Sequence, residues 1–61
     1  METIKQILMR RDNMIKEEAE ELILEAQVAL KRYLEDGEIE LAENICVEFF
    51  GLEPDYLDEL I

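Results

Sequence analysis

The chain has 61 residues, with 17 acids against 6 bases for a formal net charge of −11, 49% hydrophobic residues, one cysteine, one proline, and neither histidine nor tryptophan. That length holds one thin domain at most, and the apolar fraction argues against simple disorder despite the charge. Serine is also absent and hydroxyls occur only at Thr3, Tyr33 and Tyr56, so neither a Ser-His nor a Cys-His nucleophile pair can be assembled; a non-enzymatic protein without a cofactor is expected.

Thr3 to Arg11 places Ile4, Ile7, Leu8 and Arg11 at helical spacing, with Thr3 as an N-cap. Arg11-Asp12-Asn13 breaks the period. Asp12 or Asn13 is placed to cap a second helix, whose first turns hold Glu17, Glu18, Glu20 and Glu21, the sign that its dipole favours. This helix is predicted from Met14 or Ile15 to Leu34 or Glu35. It stops at Asp36-Gly37, where Gly37 suits the left-handed position. A third helix is marked by one broad stripe of Leu41, Ala42, Ile45, Cys46, Phe49 and Phe50, ended by Gly51. Pro54 opens a fourth, which carries Asp55, Leu57 and Leu60. No strand-like alternation persists. The expected fold is all-α: residues 1–61 form a single helical domain, a compact bundle of three to four helices with one long central helix.

The charge is unevenly placed. Residues 1–33 hold all six bases and seven acids, whereas residues 34–61 hold ten acids and no base. Such a half repels nucleic acid, whose binding depends on Lys and Arg neutralising phosphates, and attracts a basic protein surface. Carboxylates carried only for solubility are the competing explanation.

Projecting the second helix at about 100° per residue puts Ile15, Ala19, Leu22, Ile23, Ala26, Ala29, Leu30, Tyr33 and Leu34 on one side. Leu24 and Val28 fall opposite, among Glu17, Glu21, Lys31 and Glu35. If two copies packed antiparallel about a two-fold axis near Ala26, residues whose numbers sum to 52 would meet. Leu24 would then match Val28, Glu21 match Lys31, and Glu20 match Arg32. The broad stripe obeys the same sum, so either face is self-complementary. An intertwined or antiparallel homodimer is expected, with Leu24, Val28, Glu21, Lys31 and Ala26 at its interface, because so short a chain gains core from a partner.

Cys46 to Leu60 resembles the helix-turn-helix family at Val47, Gly51, Leu52, Leu57 and Leu60. The resemblance rests on one glycine and apolar spacing, and Val47 is larger than the usual Ala. Its reading helix would expose Asp55, Asp58 and Glu59, with no Arg, Lys, Asn or Gln to meet phosphates or bases. An ordinary αα-corner is therefore the preferred description of its shape, and its expected use is a protein-docking or nucleic-acid-mimicking surface carried by Asp55, Asp58, Glu59 and Tyr56.

Other clusters read as ordinary structure. Asp36, Glu38 and Glu40 fail the spacing of a calcium loop. Glu17, Glu18, Glu21 and Glu25 lack the histidines of a carboxylate metal site and form a solvated face, so no metal is expected. Cys46, on the apolar stripe, has no internal disulfide partner and reads as a buried thiol in a reducing, cytoplasmic setting. Neither a membrane-spanning run nor a signal layout is evident in the sequence.

The run Arg11-Asp-Asn-Met-Ile-Lys-Glu-Glu-Ala-Glu-Glu-Leu-Ile23, with Asp36-Gly37 and Phe50-Gly-Leu-Glu-Pro-Asp-Tyr-Leu57, resembles short acidic proteins encoded by phages and prophages of Gram-positive bacteria. Lys16 departs from that pattern, standing where a Ser or Thr cap is expected. The resemblance implies a phage accessory protein without enzymatic activity, acting in the cytoplasm of the bacterial host. It also points to anti-defence inhibitors as a class, including a short homodimeric type acting on the Hachiman system, but assigns no functional residues. The leading expectation is an inhibitor that occupies a basic surface of a host or defence protein. A structural or assembly accessory protein of a phage is the alternative, and a helix-turn-helix regulator comes third.

Overall fold

The computed structural model describes residues 2–61. Among the described residues the elements are α1 (Ile4–Arg11), α2 (Lys16–Glu35), α3 (Ile39–Glu43), α4 (Ile45–Phe50) and a 3₁₀ helix (Pro54–Glu59), with no strand. The all-α expectation holds, with one long helix as the axis. At 20 residues α2 spans about 30 Å, close to the molecule's longest dimension of 33 Å. Helices α1, α3 and α4 pack on α2, and the 3₁₀ helix packs on α4.

Local chemistry sets the ends. Thr3 Oγ1 accepts from the Gln6 N–H at 3.2 Å while the Thr3 N–H donates to Gln6 Oε1 at 2.9 Å, a reciprocal cap that starts α1. The caps expected for α2 are a different matter. Asp12 is engaged by Arg11 at 2.9 Å, and Asn13 takes the left-handed φ of 55° between the two helices. The N-cap position falls instead on Ile15, which has no side-chain acceptor. Glu18 compensates from inside the first turn, its Oε1 accepting from the Ile15 N–H at 3.1 Å. At the other end Gly37 adopts φ 75°, and the Glu38 N–H returns to the Tyr33 carbonyl at 2.8 Å.

The expected third helix is broken. Asn44 separates α3 from α4 with φ −96° and ψ 7°. Its side-chain Nδ2 donates to the Glu40 carbonyl at 3.1 Å, which its own backbone N–H also reaches at 3.2 Å. A short amide side chain that competes for a helical carbonyl bends the helix there. The stripe survives the bend in part: Ala42, Ile45, Cys46 and Phe50 are buried and Phe49 half-buried, while Leu41 at its edge is exposed.

The fourth segment forms with i→i+3 bonds rather than as an α-helix, Tyr56 N–H to Glu53 carbonyl at 3.2 Å and Leu60 N–H to Leu57 carbonyl at 2.9 Å. The helix-turn-helix outline is not realised in full. Its second member is this six-residue 3₁₀ helix, and Val47, which that pattern would bury, is 49% exposed.

The core joins Ile4 and Leu8 of α1, Ala19, Ala26 and Leu30 of α2, Ala42 of α3, Ile45, Cys46 and Phe50 of α4, and Leu60. Full burial of each large aliphatic or aromatic side chain contributes about 1.5–3 kcal/mol. Two alanines on the inner line of α2 let neighbouring backbones approach closely. Leu22, Ile23, Ala29 and Tyr33 pack around this centre as expected. Ile15 and Leu34, also predicted on the stripe, remain 60% and 50% exposed. Ile15 precedes the helix in an extended conformation and leaves the helical projection, and Leu34 lies on the flank, about 80° from Ala26.

Candidate interaction surfaces

Among the described residues no three His, Cys, Asp or Glu side chains gather as a metal-binding group, and no buried side-chain N or O lacks a hydrogen bond. Nor is any helix long and apolar enough to cross a membrane. Two outer surfaces are distinguished by charge and by exposed apolar side chains.

The first is acidic. Glu35, Asp36, Glu38, Glu40, Glu43, Glu48, Glu53, Asp55 and Asp58 are all exposed, and none pairs with a base among the described residues. Half of the bases are committed elsewhere: Lys5 to Glu20 at 3.1 Å, Arg10 to Glu2 at 2.7 Å and Arg11 to Asp12 at 2.9 Å. The hydrogen bond from Arg10 holds the Glu2 carboxyl below its ordinary range, and Arg11 does the same for Asp12. Arg11 also donates to the Phe50 carbonyl, fastening the end of α1 to the end of α4. The three ion pairs among the described residues all lie in the first half of the chain, and none reaches an acid of the second.

The 3₁₀ helix divides the residues that the sequence had grouped. Three residues per turn align i with i+3, giving ridges Asp55/Asp58, Tyr56/Glu59 and Leu57/Leu60. Asp55 and Asp58 form the outward ridge. Tyr56 is half-buried against the core, and Glu59 Oε1 accepts from the Ile4 N–H at 3.0 Å. Of the four expected docking residues, Tyr56 is drawn toward the core, whereas Glu59 stays exposed beside Asp55 and Asp58 while also holding the first turn of α1. An α-helical projection groups Asp55, Asp58 and Glu59; the tighter winding puts Glu59 on the neighbouring ridge.

The second surface is the outer side of α2. Leu24 and Val28 are 59% and 56% exposed there, with Glu21, Lys31 and Arg32 exposed around them. A shallow trough beside them is lined by Leu24, Glu25, Val28, Ala29, Arg32 and Tyr33. Ala26, expected at a dimer interface, is instead fully buried in the protomer core, because its Cβ points opposite to the Leu24 and Val28 ridge. Another apolar groove, between α2 and the C-terminal residues, is lined by Leu30, Leu34, Leu60 and Ile61. Sequence projection missed it because Leu34 was assigned to the core. Cys46, by contrast, is buried as expected, and burial pushes its thiol up from the ordinary range, with a smaller push from the Glu59 carboxylate.

No known protein family, curated protein or solved structure matches the chain.

Proposed function

We propose that this chain is a small, non-enzymatic binding protein that works as a homodimer and occupies a basic surface of another protein through the carboxylates of its second half. The observation that carries this reading is the outward Asp55/Asp58 ridge, continuous in sequence with exposed Glu53 and accompanied by six further acids without a base between residues 35 and 48. Such a surface supplies association rate and selectivity toward cations, while apolar contact supplies affinity. A basic surface of this kind is what proteins that handle nucleic acid present. Together with the resemblance carried by residues 11–23 and 50–57, this supports a phage-encoded inhibitor of a host or defence protein, acting in the bacterial cytoplasm.

Affinity capture from a Gram-positive host lysate, read by mass spectrometry, tests the reading. The wild-type chain is expected to retain a basic protein that is lost with Asp55→Lys/Asp58→Lys and released as ionic strength rises toward roughly 0.5 M. Equal capture by both proteins at all salt concentrations overturns it. A second reading, an assembly accessory protein of a phage, is favoured by the large apolar side chains left outside the core, Ile39, Val47 and Ile61 among them, at 53%, 49% and 85% exposure. It requires oligomers larger than a dimer.

A further inference from the structure

We infer that the outer face of α2 is the seam through which two copies of this chain associate, antiparallel and centred at the height of residue 26. This deepens the homodimer reading proposed above by assigning its face and register. Two self-complementary faces exist in the sequence, and the fold leaves one. The face built on Ala19, Ala26 and Leu30 is consumed by α1, α3 and α4 within the protomer. The face carrying Leu24 and Val28 stays exposed, at 59% and 56%, among the described residues.

The remaining face has the spacing of a helix seam. Glu17, Glu21, Leu24, Val28, Lys31 and Glu35 alternate steps of four and three along α2, the spacing that keeps one line of side chains toward a neighbouring helix. Leu24 and Val28 lie about 20° on either side of the pole opposite Ala26. An antiparallel copy then brings Leu24 beside the other copy's Val28 in two central layers. Glu21 meets Lys31 in the two layers outside them, and Glu17 meets Glu35 only at the exposed ends.

The charges select a second copy over an arbitrary partner. Glu21 and Lys31 have no ion-pair partner among the described residues, although acids and bases both occur on α2. A parallel arrangement would set Glu21 against Glu21 and Lys31 against Lys31, so only the antiparallel one matches signs. The Glu20 and Arg32 pair suggested by residue numbers does not belong to this seam. Those residues sit about 60° away on opposite flanks, and Glu20 is held by Lys5 at 3.1 Å. In this dimer the acid-bearing segments α3, α4 and the 3₁₀ helix, which lie on the core side of the bundle, face outward from each copy.

Sedimentation equilibrium over a wide concentration range, with far-UV circular dichroism to confirm helicity, tests the seam. Wild type is expected to dimerise. Leu24→Glu/Val28→Glu is expected to shift the dissociation constant at least 100-fold while remaining helical. Glu21→Lys and Lys31→Glu are each expected to weaken self-association about tenfold, and an equimolar mixture of the two to recover it as a mixed dimer. A wild-type mass that stays monomeric overturns both the dimer and the seam. A wild-type dimer indifferent to Leu24→Glu/Val28→Glu overturns the seam alone, and neither result bears on the acidic surface.

Discussion

The backbone N–H of Ile4 donates to Glu59 Oε1 at 3.0 Å, linking the first turn of α1 to the last residue of the 3₁₀ helix across 55 positions of sequence. The first N–H groups of a helix have no partner inside it, and a carboxylate there satisfies a donor while matching the positive end of the dipole. Glu59 thus acts on α1 as a cap supplied from the far end of the chain. Replacing it with Ala is expected to cost about 1 kcal/mol, read as a lower urea midpoint. Glu59→Gln keeps an acceptor and should lose less. Partner capture should change less in either variant than in Asp55→Lys/Asp58→Lys. A Glu59→Ala chain as stable as wild type would remove the capping role.

That bond also marks where sequence reasoning stops. Helix α1, the long α2 and the glycine stops at Gly37 and Gly51 are legible because each rests on local chemistry: a Thr cap, an apolar period, a residue able to take positive φ. The break at Asn44 is not legible, since the apolar stripe runs through it and the bend arises from one side-chain amide competing for one carbonyl. The winding of Pro54–Glu59 is equally hidden, because spacing at positions 57 and 60 fits three residues per turn as well as it fits an α-helix. That winding draws Tyr56 toward the core and gives exposed Glu59 a second task as a partner for the Ile4 N–H. On α2 the pattern named both candidate dimer faces. Choosing between them required knowing which side α1, α3 and α4 cover.

Gly51 and Gly37 give a prediction about conformation alone. Both have positive φ, 65° and 75°; a Cβ at Gly51 would meet only Arg11 Nη1 at 3.8 Å, and one at Gly37 would meet nothing within 4 Å. Substitution therefore tests backbone preference without a clash. Alanine at either site is expected to cost about 1–2 kcal/mol, and Asn less, because its side chain tolerates the left-handed region. At this chain size each kcal/mol lowers Tm by about 4–8 °C. An unchanged Tm for Gly51→Ala would show that the left-handed turn is not retained in solution.

The charge distribution predicts the response to salt. A net charge of −11 is carried on a molecule only 33 × 20 × 16 Å, so most carboxylates lie within about 10–30 Å of one another, the screening length at roughly 0.1–0.01 M salt. Only three ion pairs occur among the described residues, all exposed, and such pairs contribute little. Repulsion therefore outweighs attraction, and Tm at low micromolar concentration should rise by several degrees between about 10 mM and 500 mM sodium chloride. A fall over that range would mean that the ion pairs of α1 matter more than the acidic half.

Cys46 supplies a pH dependence with a defined sign. The side chain is fully buried between α4 and the core, and burial, followed by the Glu59 carboxylate, raises the thiol above its ordinary range. In the unfolded chain the thiol ionises near about 8.5, while in the folded chain it stays neutral to higher pH. Below that value both states bind the proton and the thiol has no effect on the balance. Above it the unfolded chain releases the proton first, so stability falls as pH rises toward the folded value. Cys46→Ala should be less stable at pH 7 by about 1 kcal/mol, yet lose less stability than wild type between pH 7.5 and 9.5 in urea titrations. Native protein should also react slowly with a thiol-specific disulfide reagent and rapidly once unfolded. Parallel pH curves for wild type and Cys46→Ala, or immediate native reaction, would place the thiol in solvent and contradict its burial in the core.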